Sequence, residues 1–274
     1  MRELRSITLR TLLERYRDTV TPRKRGANRE LYKLRVLLRH PMVDLSLDRL
    51  TAAEMAAYRD QRLTIVKADT VRREMAILHH CLKLAAEEWG IPMQSNPVDQ
   101  IKLPPPGCSR DRRASAGELE RLIRACAGNR TTWLPTVISL AVETGMRRSE
   151  LLAMEWVDLN LGARTIRLTK TKNGHPRTVP LSSIAVRLLM DVPRTETRVF
   201  PITANAFRLA WERVRRRAGV AGLRFHDLRH EAVSRFFEKG LTMPEVAAIS
   251  GHRDPRMLMR YTHPRPAAIA DKLS

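Results

Sequence analysis

The chain has 274 residues and carries 50 Lys and Arg against 29 Asp and Glu, a formal net charge of +21. Its 43% hydrophobic share suits a globular protein long enough for two domains, each with its own core. No apolar run reaches the roughly 20 residues that cross a bilayer, the N-terminus is charged where a signal peptide is apolar, and Cys81, Cys108 and Cys126 show neither metal-ligand spacing nor a disulfide pattern, which excludes a membrane span and a disulfide-stapled scaffold and leads us to expect a cytoplasmic protein.

Apolar residues at helical spacing predict a helix over about 4–20, with Leu9, Leu12, Leu13 and Tyr16, and another over 28–39, with Leu31, Leu34, Leu37 and Leu38. The turn between them holds Arg23, Lys24 and Arg25. Thr51-Ala52-Ala53-Glu54 reads as a capping box that opens a third helix, to about Arg62. A fourth runs from about Asp69 to Trp89 on Val71, Met75, Leu78 and Leu82, and Gly90 and Pro92 stop it. Four helices on short loops make a small bundle over residues 1–106. Pro104-Pro105-Pro106 stiffens the chain, and residues 107–114 read as a linker crowded with Arg110, Arg112 and Arg113.

The second domain, 115–274, opens on another capping box, Ser115 to Glu118. Helices are expected at about 116–126 and 132–143, with Gly145 breaking the second and a new helix starting near Arg147. The period then changes from helical to alternating. Residues 163–170 and 177–181 alternate around Asn173-Gly174, which predicts a hairpin. Helices return at about 183–190, 204–218, 226–239, 243–250 and 255–261.

Both halves are basic: residues 1–106 hold 20 basic and 13 acidic side chains, and the remainder 30 and 16. A polyanion is the natural partner. With 5% aromatics, a basic clamp on duplex phosphates fits better than a stacking platform for single strands. In the first domain, Arg23, Lys24 and Arg25 in the turn and Arg72, Arg73 and Lys83 on the fourth helix are the candidate phosphate contacts.

Candidate chemistry lies in the second domain. Arg147 sits at a helix corner with Glu150 three residues on, placed to hold its guanidinium. His226 and Arg229 share the first turn of a helix. His226 and His230 are four apart, but the sequence between them lacks the glutamate of the zinc-protease pattern and holds an arginine that repels a cation, so no metal site is expected. Gly251-His252 follows a short helix, and Tyr261 comes nine residues later among methionines and a leucine, where a tyrosine is ordinarily part of a core. Taken together, these residues suit one reaction. A phosphodiester under attack gains charge on its non-bridging oxygens, which two arginines bind bidentately without metal. Tyrosine becomes a nucleophile when cations surround it or a base takes its proton. A lysine on a hairpin, such as Lys172, can protonate a leaving oxygen.

In these segments the chain resembles the tyrosine recombinases, or phage-type integrases: Thr144-Gly145-Met146-Arg147-Arg148-Ser149-Glu150, the Lys172 hairpin, His226-Asp227-Leu228-Arg229-His230, Gly251-His252 and Arg260-Tyr261-Thr262-His263 keep the family's order and spacing. The resemblance implies a mainly α chain, with an N-terminal helical core-binding (SAM-like) bundle and a mixed α+β catalytic domain carrying a small β-hairpin sheet. It implies that Arg147 and Arg229 clamp the scissile phosphate, Lys172 protonates the leaving 5′-oxygen, His226 assists proton transfer, His252 hydrogen-bonds a non-bridging oxygen and Tyr261 forms a 3′-phosphotyrosyl link. Glu150 and His230 look like supports of these groups. The implied activity is site-specific recombination of duplex DNA without metal or nucleotide cofactor, by protomers that assemble as a tetramer on DNA. A relaxing enzyme with the same chemistry and a DNA-binding module without chemistry are the alternatives. The DNA site and any accessory protein are not encoded in these motifs.

Overall fold

The computed structural model describes residues 2–108, 110–127, 133–169 and 176–262. The chain divides into two compact units, Met1–Ser109 and Arg110–Ser274. The first is helical: α1 (Arg2–Ser6), α2 (Leu9–Thr19), α3 (Ala27–Leu37), α4 (Ala52–Leu63) and α5 (Ala68–Glu87). The single helix expected over 4–20 is two. Thr8 is extended, its hydroxyl accepts from Thr11 N at 3.3 Å to cap α2, and Leu47 N donates to Ile7 O at 3.0 Å. A local cap and a strand-like bridge thus outweigh helical continuity.

The core of this unit follows the apolar spacing. Leu9, Leu12, Leu13 and Tyr16 of α2 are buried against Leu34, Leu37, Met55, Val71, Met75, Leu78 and Leu82. Leu78 has no exposed surface, so truncation to alanine there costs about 2–5 kcal/mol. One charge is taken into this core. Glu74 accepts two bonds from Arg62, at 2.9 and 2.8 Å, and one from the Tyr58 hydroxyl at 2.8 Å. Gly90, at φ +72°, turns the chain away after α5.

The unit boundary falls inside the segment expected as linker. Gly107 N donates to Asp69 in the first unit at 3.0 Å. Ala114 is buried in the second core, and Arg113 pairs with Glu231 at 2.8 Å and Glu238 at 2.6 Å. Residues 110–114 therefore pack as a strap on the second unit.

The second unit comprises α6 (Ala116–Ala125), α7 (Leu134–Thr144), α8 (Arg148–Leu152), β1 (Leu159–Asn160), β2 (Thr165–Leu168), β3 (Arg177–Pro180), α9 (Ser183–Met190), α10 (Ala204–Arg217), α11 (Asp227–Glu238), α12 (Met243–Ser250) and α13 (Arg256–Thr262). The capping box at Ser115 and Glu118 closes in both directions, at 3.2 and 3.0 Å. Helix α7 is apolar on nearly every side and lies in the middle of the unit, against α9 and α11. It ends at Gly145, φ +61°, where an added Cβ would stand 3.3 Å from Phe236 on α11.

The expected hairpin is present as β2 and β3, antiparallel, with Leu168 opposite Arg177 and Thr165 opposite Pro180. A short third strand, β1, completes the order β1-β2-β3. Its two residues carry no alternation of their own and pair because Leu159 meets buried Ile166. The Asn173-Gly174 turn lies outside the described residues. Among those described, no helix is long and apolar enough to cross a membrane.

Candidate active site

The site is built around the C-terminal end of α12. This helix starts at Thr242, whose amide donates to Glu245 at 2.7 Å, and stops at Gly251 in the left-handed conformation, φ +70°. Its last carbonyls lack helical partners and carry the negative end of the helix dipole. Three arginines from three other elements supply donors. Arg177, on β3, donates Nε to Ile249 O at 3.0 Å. Arg229, on α11, donates Nη2 to Ser250 O at 2.7 Å. Arg147, just before α8, reaches Gly251 O at 3.5 Å. An added Cβ on Gly251 would lie 3.0 Å from the Arg177 guanidinium, so both φ and space require glycine there.

A single carboxylate holds this cluster together. Glu150 is buried and accepts from Arg147 N at 2.9 Å and Arg147 Nη1 at 2.8 Å. Arg177 adds two parallel bonds at 3.0 and 2.8 Å. Burial alone would raise the Glu150 carboxyl. The hydrogen bonds from Arg177, with those from Arg147, outweigh it and bring the group down to about 2. Arg229 also donates Nη1 to Gly145 O at 2.7 Å. Burial, and then the charge of Arg147, push its guanidinium down to about 9, still protonated at neutral pH. Three cations against one anion leave two positive charges, one of them fully buried, for a ligand to neutralise.

His252 follows in the loop. Its Nε2 lies 3.4 Å from Arg229 Nη2 and its Nδ1 lies 2.7 Å from Ser250 Oγ. Burial, then Arg229 and Arg147, lower its pKa to about 3, so the ring is neutral. A second row of rings adjoins it. His226, at the start of α11, meets His230 edge-on at 5.3 Å, and the Tyr261 hydroxyl is hydrogen-bonded to His230 Nδ1. His230 is lowered to about 4 by burial first and by His226 second. Burial raises Tyr261, opposed by the charges of Arg260 and Arg229. The Tyr261 helix, α13, is anchored by buried Leu258, while Met257 and Met259 are exposed. Arg260 ties it to the strap through Asp111 and Arg110 O. Arg110 in turn pairs with buried Asp227, next to His226, at 2.9 Å.

The structure thus brings Arg147, Glu150, Arg229 and His252 into one network and sets His226, His230 and Tyr261 beside it. The Tyr261 hydroxyl is hydrogen-bonded to His230. Lys172 lies outside the described residues. Arg177 and Ser250 were not anticipated. For Arg177 the signal was present: it shares the inward register of β3 with buried Val179 and Leu181, and an arginine there requires a buried partner. Among the described residues no group of three or more His, Cys, Asp or Glu gathers as a metal site would.

In the first unit, Arg23, Arg25 and Arg73 are exposed. The other three candidates each have a partner within the unit, Lys83 from an exposed position. Lys24 pairs with Glu30 at 2.7 Å, Arg72 donates to Pro104 O at 2.7 Å, and Lys83 pairs with Glu87 at 3.7 Å. A groove of about 600 Å³ beside them is lined by Arg29, Lys33 and Arg73, with Tyr16 and His80.

The phage integrase family model matches residues 112–267. The chain is 39% identical to the shufflon-specific DNA recombinase of Escherichia coli, over 98% of this chain and 72% of that protein. It superposes on a lambda integrase dimer bound to a COC′ core site with a TM-score of 0.80 at 22% identity, over 95% of this chain and 78% of that one. A lambda integrase tetramer bound to a Holliday junction matches with a TM-score of 0.76 at 21% identity, over 92% and 79% of the two chains.

Proposed function

Since the chain belongs to the phage integrase family, the tyrosine recombinases that break and rejoin DNA at specific sites, we propose that Tyr261 is its nucleophile and that Arg147 and Arg229 bind the scissile phosphate. The observation that carries this is the convergence of both guanidiniums and His252 on one helix end, with a net surplus of positive charge, next to a half-buried tyrosine hydroxyl. A phosphodiester placed there offers the guanidiniums better acceptors than the weakly held Gly251 carbonyl. Its two non-bridging oxygens gain charge as the P–O bond to Tyr261 forms and the bond to the 5′-oxygen breaks. The arginines, already desolvated and fixed by Glu150 and by carbonyls, need no rearrangement to stabilise that charge. The tyrosine proton passes first to His230 Nδ1, to which the hydroxyl is already hydrogen-bonded, with His226 behind it. Lys172 returns a proton to the 5′-oxygen. The 3′-phosphotyrosyl link keeps the bond energy, so rejoining needs no nucleotide.

Residues 1–106 act as the core-binding domain and 115–274 as the catalytic domain. The partner is duplex DNA in the cytoplasm, and four protomers assemble on it to exchange strands. The test is covalent capture. Wild-type protein should form an adduct with a nicked suicide duplex in the presence of a chelator, and Tyr261→Phe should bind the same duplex without forming one. An undiminished adduct from Tyr261→Phe would remove Tyr261 from the mechanism.

A further inference from the structure

Ser250 lies at the centre of the site and takes part in no step described so far. It is the last residue of α12, fully buried, and its hydroxyl makes two short contacts: 2.6 Å to Val246 O and 2.7 Å to His252 Nδ1. The other nitrogen of that ring, Nε2, faces Arg229 Nη2 at 3.4 Å. These contacts form one chain of four groups, and its two ends have fixed polarity. A backbone carbonyl only accepts and a guanidinium only donates. Reading from Val246, the Ser250 proton is used on the carbonyl, so Oγ is left to accept from Nδ1–H. Reading from Arg229, Nε2 must accept. Both ends require the same neutral tautomer, with the proton on Nδ1.

We infer that Ser250 is a positioning residue that holds His252 as the Nδ1–H tautomer in the DNA-free enzyme, with Nε2 unprotonated and turned toward Arg229. The imidazole then meets the phosphate as an empty base, not as a ready donor. When a phosphate oxygen takes the Arg229 Nη2 hydrogen, Nε2 loses its donor and comes next to new negative charge. It takes a proton from solvent, an N–H bond forms, and the imidazolium donates that hydrogen to the non-bridging oxygen. The Nδ1–H bond to Ser250 is kept throughout, so the ring gains its charge without turning. Ser250 therefore fixes both the orientation of His252 and the nitrogen that must be filled.

The last step rests on the reading of this cluster as a phosphate site, but the tautomer does not. It is read on DNA-free protein by long-range proton–nitrogen correlation of the ¹⁵N-labelled histidines, with His252 assigned by its loss in His252→Gln. The expected result near neutral pH is a protonated Nδ1 and a bare Nε2. In Ser250→Ala, Nδ1–H has no acceptor and only the 3.4 Å contact with Arg229 still favours it, so the ring should populate both tautomers, with adduct formation slowed about tenfold, the worth of one hydrogen bond, and DNA affinity unchanged. Ser250→Thr keeps the hydroxyl and should restore the wild-type pattern. A proton on Nε2 in the wild type, or an unaltered tautomer in Ser250→Ala, would overturn the inference. The wild-type spectrum decides even if the alanine variant does not fold. Absence of any Tyr261 adduct with a wild-type tautomer as expected would instead strike the recombinase chemistry.

Discussion

Replacing Glu150 by glutamine tests the organisation of the arginine cluster directly. The carboxyl lies at about 2 against an ordinary 4.5. That difference corresponds to about 3 kcal/mol of folding free energy. The folded value is the depressed one, so the contribution is complete above pH 4.5 and is lost as pH falls through about 2. By the same linkage about 1.4 kcal/mol remains at pH 3. Glu150→Gln also leaves Arg147 and Arg177 without their counter-charge, so at pH 7 it should cost about 3–5 kcal/mol, and the gap to wild type should narrow by about 2 kcal/mol on going to pH 3. The measurement is urea unfolding of the full chain by tryptophan fluorescence in a Trp89→Phe background. The three remaining tryptophans, Trp133, Trp156 and Trp211, all lie in the second unit. A gap of equal size at both pH values would refute the reasoning, because it would mean that Glu150 is not held ionised by its arginines.

Gly251→Ala should lose about 1–2 kcal/mol to backbone strain and displace Arg177, so adduct formation should fall more than DNA binding does; parallel losses in both would point to general unfolding. Lys172→Ala should cleave ordinary DNA slowly yet cleave a 5′-bridging phosphorothiolate at nearly the wild-type rate, because a thiol pKa of about 8.5 lets sulfur leave without a proton. Lys170→Ala should show no such rescue, and equal defects of Lys172→Ala on both substrates would assign Lys172 to phosphate binding. Exposed Arg23, Arg25 and Arg73 should each, when changed to alanine, reduce the slope of log affinity against log salt by roughly 0.9 per lost phosphate contact. Half-buried and paired Lys24 and Arg72 should change it less, and the reverse order would exchange the two sets.

The sequence by itself determined the mainly helical class, most of the helices and the β2–β3 pairing, and it set out the candidate residues in chain order. This follows because the signals are local. Apolar spacing on α5, the box at Ser115 and Glu118, and alternation around Ile166 and Val179 each act within a few residues of themselves. Arg147, Arg229 and His252 stand out as residue types at turns and helix starts. What unites them does not appear in the sequence. Arg177 and Glu150 are 27 residues apart, Arg229 and Gly145 are 84 apart, and Arg110 and Asp227 are 117 apart. Buried charges choose partners by position in space, since an unpaired one costs several kcal/mol wherever its neighbours come from in the chain. Only the packing of α8, α11 and β3 on the end of α12 decided that three arginines share one set of carbonyls. The same packing put His230 on the Tyr261 hydroxyl and turned the 110–114 segment from a linker into a strap on the Tyr261 helix. It also made Ser250, an ordinary helix-end serine in the sequence, the residue that sets the protonation of His252.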